Sequence, residues 1–289
     1  MFRLIFAFSF VAMLGACSNG IEEFRYFSAA YKAQTESGEA ALDRLAVSER
    51  KLWAVTFDAR KVDRDSGSNV IPAFDPDDSQ YLVAVGDPPL TASIRSSLRS
   101  VLHFNQAMTG LATGEAATVL TARMSAASVS VASAAGSLST AAGIPQGAAL
   151  APGVQAVVGA VGPLFEQLAQ AEDRARFRTL LIDTYPQVKE LIGALRAGTA
   201  EMFEVHKEAY KEPGSLFGVE GVPEEKLPEL ERERLRLAAW VVLLDKSLVA
   251  MDEAILAISD DSVTPASLVA VSQELSRLAE SVTRLRNQN

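Results

Sequence analysis

The chain has 289 residues, 48% hydrophobic and 22% charged, enough apolar material to bury a core and too much for disorder by composition. A formal net charge of −9 and a pI near 4.9 argue against a nucleic-acid partner, whose phosphates call for a basic surface. With 2 His and 1 Cys, a multi-cysteine zinc site and an intrachain disulfide are excluded by count.

The first element is an address. Arg3 supplies a positive start, and Leu4 to Leu14 form an uncharged, mostly apolar run. A spanning helix needs about 20 apolar residues, so this run fits a signal-peptide core instead. It ends in Leu14-Gly15-Ala16-Cys17, small residues followed by the only cysteine of the chain. This resembles the lipobox of bacterial lipoproteins, over these first residues alone. The resemblance implies a diacylglyceryl group on Cys17, cleavage between Ala16 and Cys17, and acylation of the new amine. Ser18, where an Asp would imply inner-membrane retention, implies sorting to the outer membrane. The n-region departs from the pattern in having a single basic residue. Two or more acyl chains make membrane attachment stable, and the acidic body should stand off from an anionic lipid surface.

Residues 1–16 therefore read as a signal peptide and 17–63 as a tether and long helix. Apolar positions fall three or four apart, with Phe24, Phe27 and Tyr31 followed by Leu42, Leu45, Leu52 and Val55. Gly38 is expected to divide this helix. Residues 64–90, rich in Pro and Asp, read as a linker with at most one short strand at Tyr81–Val85.

A helical core is expected over 91–211. Asp87-Pro88-Pro89 opens a helix whose stripe is Ile94, Leu98, Val101, Asn105 and Met108, with an interruption expected at Gly110 or Gly114. Another helical stretch should run from Glu115 towards Leu138. No charge at all occurs in 124–165, a segment dominated by Ala, Ser, Gly and Val and broken by Gly143-Ile144-Pro145 and Ala151-Pro152-Gly153. Helical periodicity resumes to Asp183, and Tyr185-Pro186 marks an expected kink or break. Val188, Leu191, Leu195 and Met202 line one further helix ending before Pro213-Gly214. A second linker covers 212–228.

Residues 229–289 read as an antiparallel, coiled-coil-like hairpin. Leu237, Val241, Leu244, Leu248, Met251, Ile255 and Ile258 alternate spacings of four and three. After a turn at Ser259–Val263, Thr264 and Pro265 suit a helix start, and Leu268, Val271, Leu275, Leu278, Val282 and Leu285 repeat the pattern. The fold class expected is all-α, a multi-helix bundle.

Constellations that carry chemistry are scarce. His103 lies beside the stripe of its helix with no orienting carboxylate near in sequence, so a structural role is expected. His206 lies among Glu201, Glu204 and Glu208 but lacks a second His in register, which reads as a solvated acidic face. Asp75, Asp77 and Ser79 have calcium-loop spacing, yet Gln80 and Gly86 stand where the EF-hand needs Gly and Glu. No P-loop, dinucleotide-binding or nucleophile-elbow motif occurs.

The expectation is a non-enzymatic cell-envelope lipoprotein with no cofactor and no metal. It would be attached to the membrane through Cys17, face the periplasm at the inner leaflet of the outer membrane, and act through helix-mediated contacts with a protein partner. Two rivals stand beside it. The uncharged segment 124–165 could insert into a bilayer as in helical pore-formers, although small residues equally suit close packing in a soluble bundle. The Ala/Gly-rich core could instead hold a small apolar ligand.

Overall fold

A computed structural model describes residues 21–61, 79–113, 175–211 and 221–259, with isolated positions at 76, between 119 and 129, and at 273 and 277. These residues form an all-α bundle, with no strand among them. The helices are α1 (Ile21–Lys61), α2 (Ser79–Leu82), α3 (Pro89–Thr113), α4 (Ala175–Ala197), α5 (Thr199–Tyr210) and α6 (Leu227–Ser259), the last preceded by a 3-10 turn at Glu224–Lys226. The bundle is organised around α1, which packs against α3, α6 and α5, while α4 packs against α6 and α3.

Why α1 continues unbroken through Gly38 is a matter of tertiary contact. A Cβ at position 38 would lie 2.8 Å from Trp240 Nε1, 2.9 Å from its Cε2 and 3.0 Å from Leu98 Cδ2. Glycine in a helix interior costs about 1 kcal/mol relative to alanine. Here that cost is offset by letting the largest fully buried side chain of the bundle, Trp240, lie against the α1 backbone. The expected break is therefore an approach site. On the same helix Tyr31, Leu42, Leu45 and Leu52 are buried as the stripe requires.

Helix α3 runs antiparallel to α1, since Thr109 meets Ser28 at one end, Arg99 meets Glu39 midway, and the first turn meets Glu49 at the other. Ile94, Leu98, Val101, Asn105 and Met108 are all buried on one face. The helix passes through Gly110 to Thr113. Buried Ser97 and Ser100 donate to the carbonyls of Ser93 and Ser96, so their hydroxyls are satisfied within α3 and leave a low-profile surface for its neighbours.

Ahead of α3, residues 79–82 form a helical turn, where the sequence allows at most one short strand at Tyr81–Val85. No neighbouring strand is present among the described residues to pair with it, and local β propensity alone is weak. The decisive contact is Tyr81, whose ring stacks on Trp53 at a centroid distance of 5.2 Å and an interplanar angle of 4°. Leu82, Val83 and Val85 remain exposed. Gly86 then adopts φ +86°, a conformation that favours glycine, and its carbonyl accepts from Arg50 of α1.

Pro186 lies inside α4 without breaking it. Buried Leu181, Thr184, Val188, Leu191, Ile192 and Leu195 hold the helix on both sides of the proline, so packing outweighs the missing backbone donor. The division falls instead at Gly198, between α4 and α5, where one helix had been expected. Gly198 N donates to Ala194 O and accepts through its own carbonyl from Met202 N, and Thr199 Oγ1 donates to Arg196 O.

In α6 the buried face is rotated relative to the expected stripe. Leu230, Glu233, Leu237, Trp240, Leu244, Ser247, Met251 and Ala254 are buried. Leu237, Leu244 and Met251 are shared with the expectation, but Val241, Leu248 and Ile255 are half-buried at the margin. Because α6 carries apolar residues on several faces, the Trp240–Gly38 contact decides its rotation. The second arm of the expected hairpin lies outside the described residues, apart from helical Gln273 and Arg277.

Among residues 115–138, the described positions Val119, Ala122, Arg123, Ser125, Ala126 and Val129 are helical. The remainder of 124–165 lies outside the described residues, as do both 62–75 and 212–220. No helix of the described residues is long and apolar enough to cross a membrane.

Candidate functional site

The strongest concentration of polar side chains inside the bundle starts from two adjacent residues of α1, Ser48 and Glu49. Adjacent helical positions point about 100° apart, so the pair addresses two different neighbours. Glu49 reaches α3, where Oε1 accepts from Leu90 N and Oε2 accepts from Thr91 N and Thr91 Oγ1, each at 2.8 Å. The first N–H groups of a helix have no partner within it and sit at its positive end. Glu49 thus caps α3 from another helix. Burial pushes its carboxyl up to about 7, opposed by the hydrogen bonds from Leu90 and Thr91 and by the Arg50 charge.

Ser48 reaches α5. Its Oγ and His206 Nδ1 are joined by a 2.8 Å hydrogen bond across the interface. The solvated face expected around His206 is therefore corrected: His206 is 1% exposed, while Glu204 and Glu208 on the outer side of α5 pair with Lys207 and Lys211. On a helix, His206 faces a direction neither glutamate shares, and burial of that direction is set by α1 and α6. Desolvation lowers the His206 pKa; the nearby Glu233 carboxylate raises it, and the Arg236 and Arg44 charges lower it. The neutral imidazole is the form that fits.

Glu233 of α6 is itself buried at 5% and pairs with Arg236 at 2.6 Å. Tyr210, at the end of α5, has its pKa raised by burial and by Glu233 and Glu229, and Lys51 of α1 lies 5.2 Å from its ring centroid. A hydroxyl beside an imidazole that feels a carboxylate is an arrangement also used to activate nucleophiles. Here Ser48, at 7% exposed, turns its oxygen to the imidazole within the α1–α5 interface. What the arrangement does as it stands is hold three helices in register through buried, directional contacts.

A second polar group lies along the α1–α3 seam. Arg95 donates through Nε to Asp87 at 2.7 Å and through Nη2 to Asp43 at 2.9 Å, and it also pairs with Glu39. Arg99 binds Glu39 at 3.1 Å. Burial and the neighbouring Arg99 lower the pKa of Arg95. Farther along the same seam, Gln34 and Asn105 are fully buried with both ends of each side-chain amide lacking a hydrogen-bond partner among the described residues. The antiparallel register places them at one level of the bundle.

The residues singled out from sequence fare unevenly. Cys17, Ala16 and Ser18 lie outside the described residues, as does the Asp75–Asp78 loop apart from exposed Pro76. His103 is half-buried on α3 beside buried Val101 and Phe104. His206 is joined to Ser48, a partner from a distant part of the chain that no local spacing announces. Ser48, Glu49 and Glu233 carried no signal beyond standing on or beside apolar stripes. The described residues hold no cluster of three or more potential metal-ligating side chains. No protein-family model, curated protein or solved structure matches this chain.

Proposed function

We propose that this protein is a lipid-anchored cell-envelope protein whose helical body acts through contacts with other proteins in the periplasm. The observation that carries the reading is Leu14-Gly15-Ala16-Cys17 at the end of an uncharged apolar run, with Cys17 the only cysteine. The resemblance to a lipobox implies acylation at Cys17, cleavage after Ala16 and, through Ser18, outer-membrane sorting. Two further features support it. The described body is a packed helical bundle, the kind of unit that a tether would present, and its helix α1 reaches back to Ile21, close to the proposed anchor.

Metabolic labelling with an alkyne palmitate tests this directly, comparing wild type with Cys17→Ala and fractionating both. Label present in the wild type and lost in the variant, with wild type in the outer-membrane fraction, is the expected result. Equal labelling of the two, or a wild type found soluble in the periplasm, would remove the anchor and the location together.

A further inference from the structure

Among the described helices longer than one turn, α5 is the shortest, at 12 residues. It packs on α1 and α6 and has little contact with α4. A helix of that length is marginal by itself, so docking has to hold it. Of its larger apolar side chains only Met202 and Val205 are fully buried, with Phe203 half-buried. The ion pairs Glu204–Lys207 and Glu208–Lys211 join residues of the same stretch. Polar contacts that cross to α1 and α6 centre on His206, which meets Ser48, and on Tyr210, which meets Lys51 and Glu229.

At the heart of that interface the imidazole is sealed from water, at 1% exposed. From α1 it faces the Ser48 hydroxyl and the Arg44 charge, and from α6 it faces Glu233 and Arg236. On α5 itself, Glu204 and Glu208 point outward to their lysines. Glu49, next to Ser48 in sequence, is bound to the first turn of α3 and titrates against that helix instead. Among the described residues Glu233 is thus the anion turned to the ring, and Arg236 already pairs with it at 2.6 Å. A proton on His206 would add a third cation around one engaged carboxylate. A buried charge of that kind is costly unless it has a partner of its own.

We infer that α5 is an acid-released flap: protonation of His206 undocks it from α1 and α6 about Gly198, while the other helices stay packed. Gly198 is the single residue between α4 and α5, and hinges are commonly such element-terminal positions. Release gives the imidazolium its water and uncovers the faces of α1 and α6 against which α5 packs. Burial keeps the docked His206 pKa below its ordinary value, to which the undocked ring returns at about 6.5. Undocking is therefore favoured as pH falls through about 6.5, by up to about tenfold per pH unit, and levels off below the docked value.

Hydrogen exchange of the full-length protein at pH 5 and pH 7.5, corrected for intrinsic exchange, tests the flap. Peptides from 199–210 should lose protection by about tenfold at the lower pH, while peptides from 93–108 of α3 keep theirs. His206→Gln should remove the difference between the two conditions. No loss in α5, or an unchanged acid response in His206→Gln, would overturn the flap. An equal loss in α3 would overturn it too, because it reports global unfolding. Should the variant disturb docking by itself, NMR titration of the two histidines of the wild type gives an independent reading. His206 should titrate below about 6.5 together with a change in the Met202 methyl signal. A ring titrating at or above that value, or a Met202 signal indifferent to it, would equally overturn the flap.

Discussion

Helices α3 and α6 both lie along α1, but they are held to it by different forces. At α3 the contact is pinned by directional groups: Glu49 caps its first turn, and Arg95 and Arg99 reach Glu39 and Asp43. At α6 the contact is apolar and close, with Trp240 lying on the Gly38 backbone, while the ion pairs to α4 lie at an exposed rim. Directional groups fix the register of a helix because each has one partner at one distance. Apolar contact fixes it through shape, so a single large side chain over a single missing Cβ carries much of the specificity.

The largest effect that would break this contrast is Trp240→Ala. It should cost about 3–5 kcal/mol in urea unfolding, whereas Val241→Ala, one position around the helix and half-buried, should cost about 1 kcal/mol. Reversal of that order would show that α6 presents its other face to α1. On the polar side, Arg95→Ala should destabilise by about 2–3 kcal/mol, because it leaves half-buried Asp87 and Glu39 without the buried guanidinium that pairs them. Little change in unfolding free energy would mean that apolar contact alone holds α3.

Gly38→Ala sharpens the comparison, because intrinsic helix propensity and packing pull in opposite directions. Alanine is the better helix former, yet its methyl group would meet Trp240 and Leu98, so a net loss of about 1–3 kcal/mol is expected. A stabilised variant would refute the approach-site reading. Gln34→Met should do the reverse of most core changes. It removes a buried amide without hydrogen-bond partners among the described residues at nearly constant volume, and a gain of about 1 kcal/mol in thermal or urea denaturation is expected.

The pH profile separates the two buried titratable groups. Glu49 has a folded pKa of about 7 against an ordinary 4.5, so the native state holds its proton more tightly. Its contribution is complete below about 4.5 and is lost as pH rises through 7. His206 has a lowered folded pKa, so the unfolded chain binds that proton more tightly. Its contribution is complete above about 6.5 and is lost as pH falls towards the folded value. Urea midpoints from pH 4 to 8 should show the alkaline decline removed by Glu49→Gln and the acidic decline reduced by His206→Gln. Parallel profiles for all three proteins would deny both assignments.

Much of α3 was legible because its pattern is unambiguous. Ile94, Leu98, Val101, Asn105 and Met108 are interspersed with serines and arginines, so the apolar line marks one face, although Ser93, Ser97 and Ser100 beside it are buried as well. In α6 the apolar residues Val241, Val242, Leu243 and Leu244 are consecutive, and periodicity alone cannot choose among the faces they offer. Of the polar layer, the sequence showed His206 but placed it by its neighbours Glu204 and Glu208. Its partner Ser48 is a small hydroxyl residue without a pattern of its own, and a hydrogen bond between distant parts of a chain leaves no spacing to read.

Local periodicity and composition were sufficient for the helical class, the buried line of α3 and the expectation of an anchor at Cys17, because each is a property of neighbouring residues. Tertiary packing alone decided that α1 passes through Gly38, that α4 passes through Pro186 while the chain divides at Gly198, and that His206 is buried. It also decided which face of α6 enters the core. Those outcomes depend on what the opposing helix presents, and a helix break, a buried imidazole or a chosen face is stable only when its partner surface supplies the compensating contact.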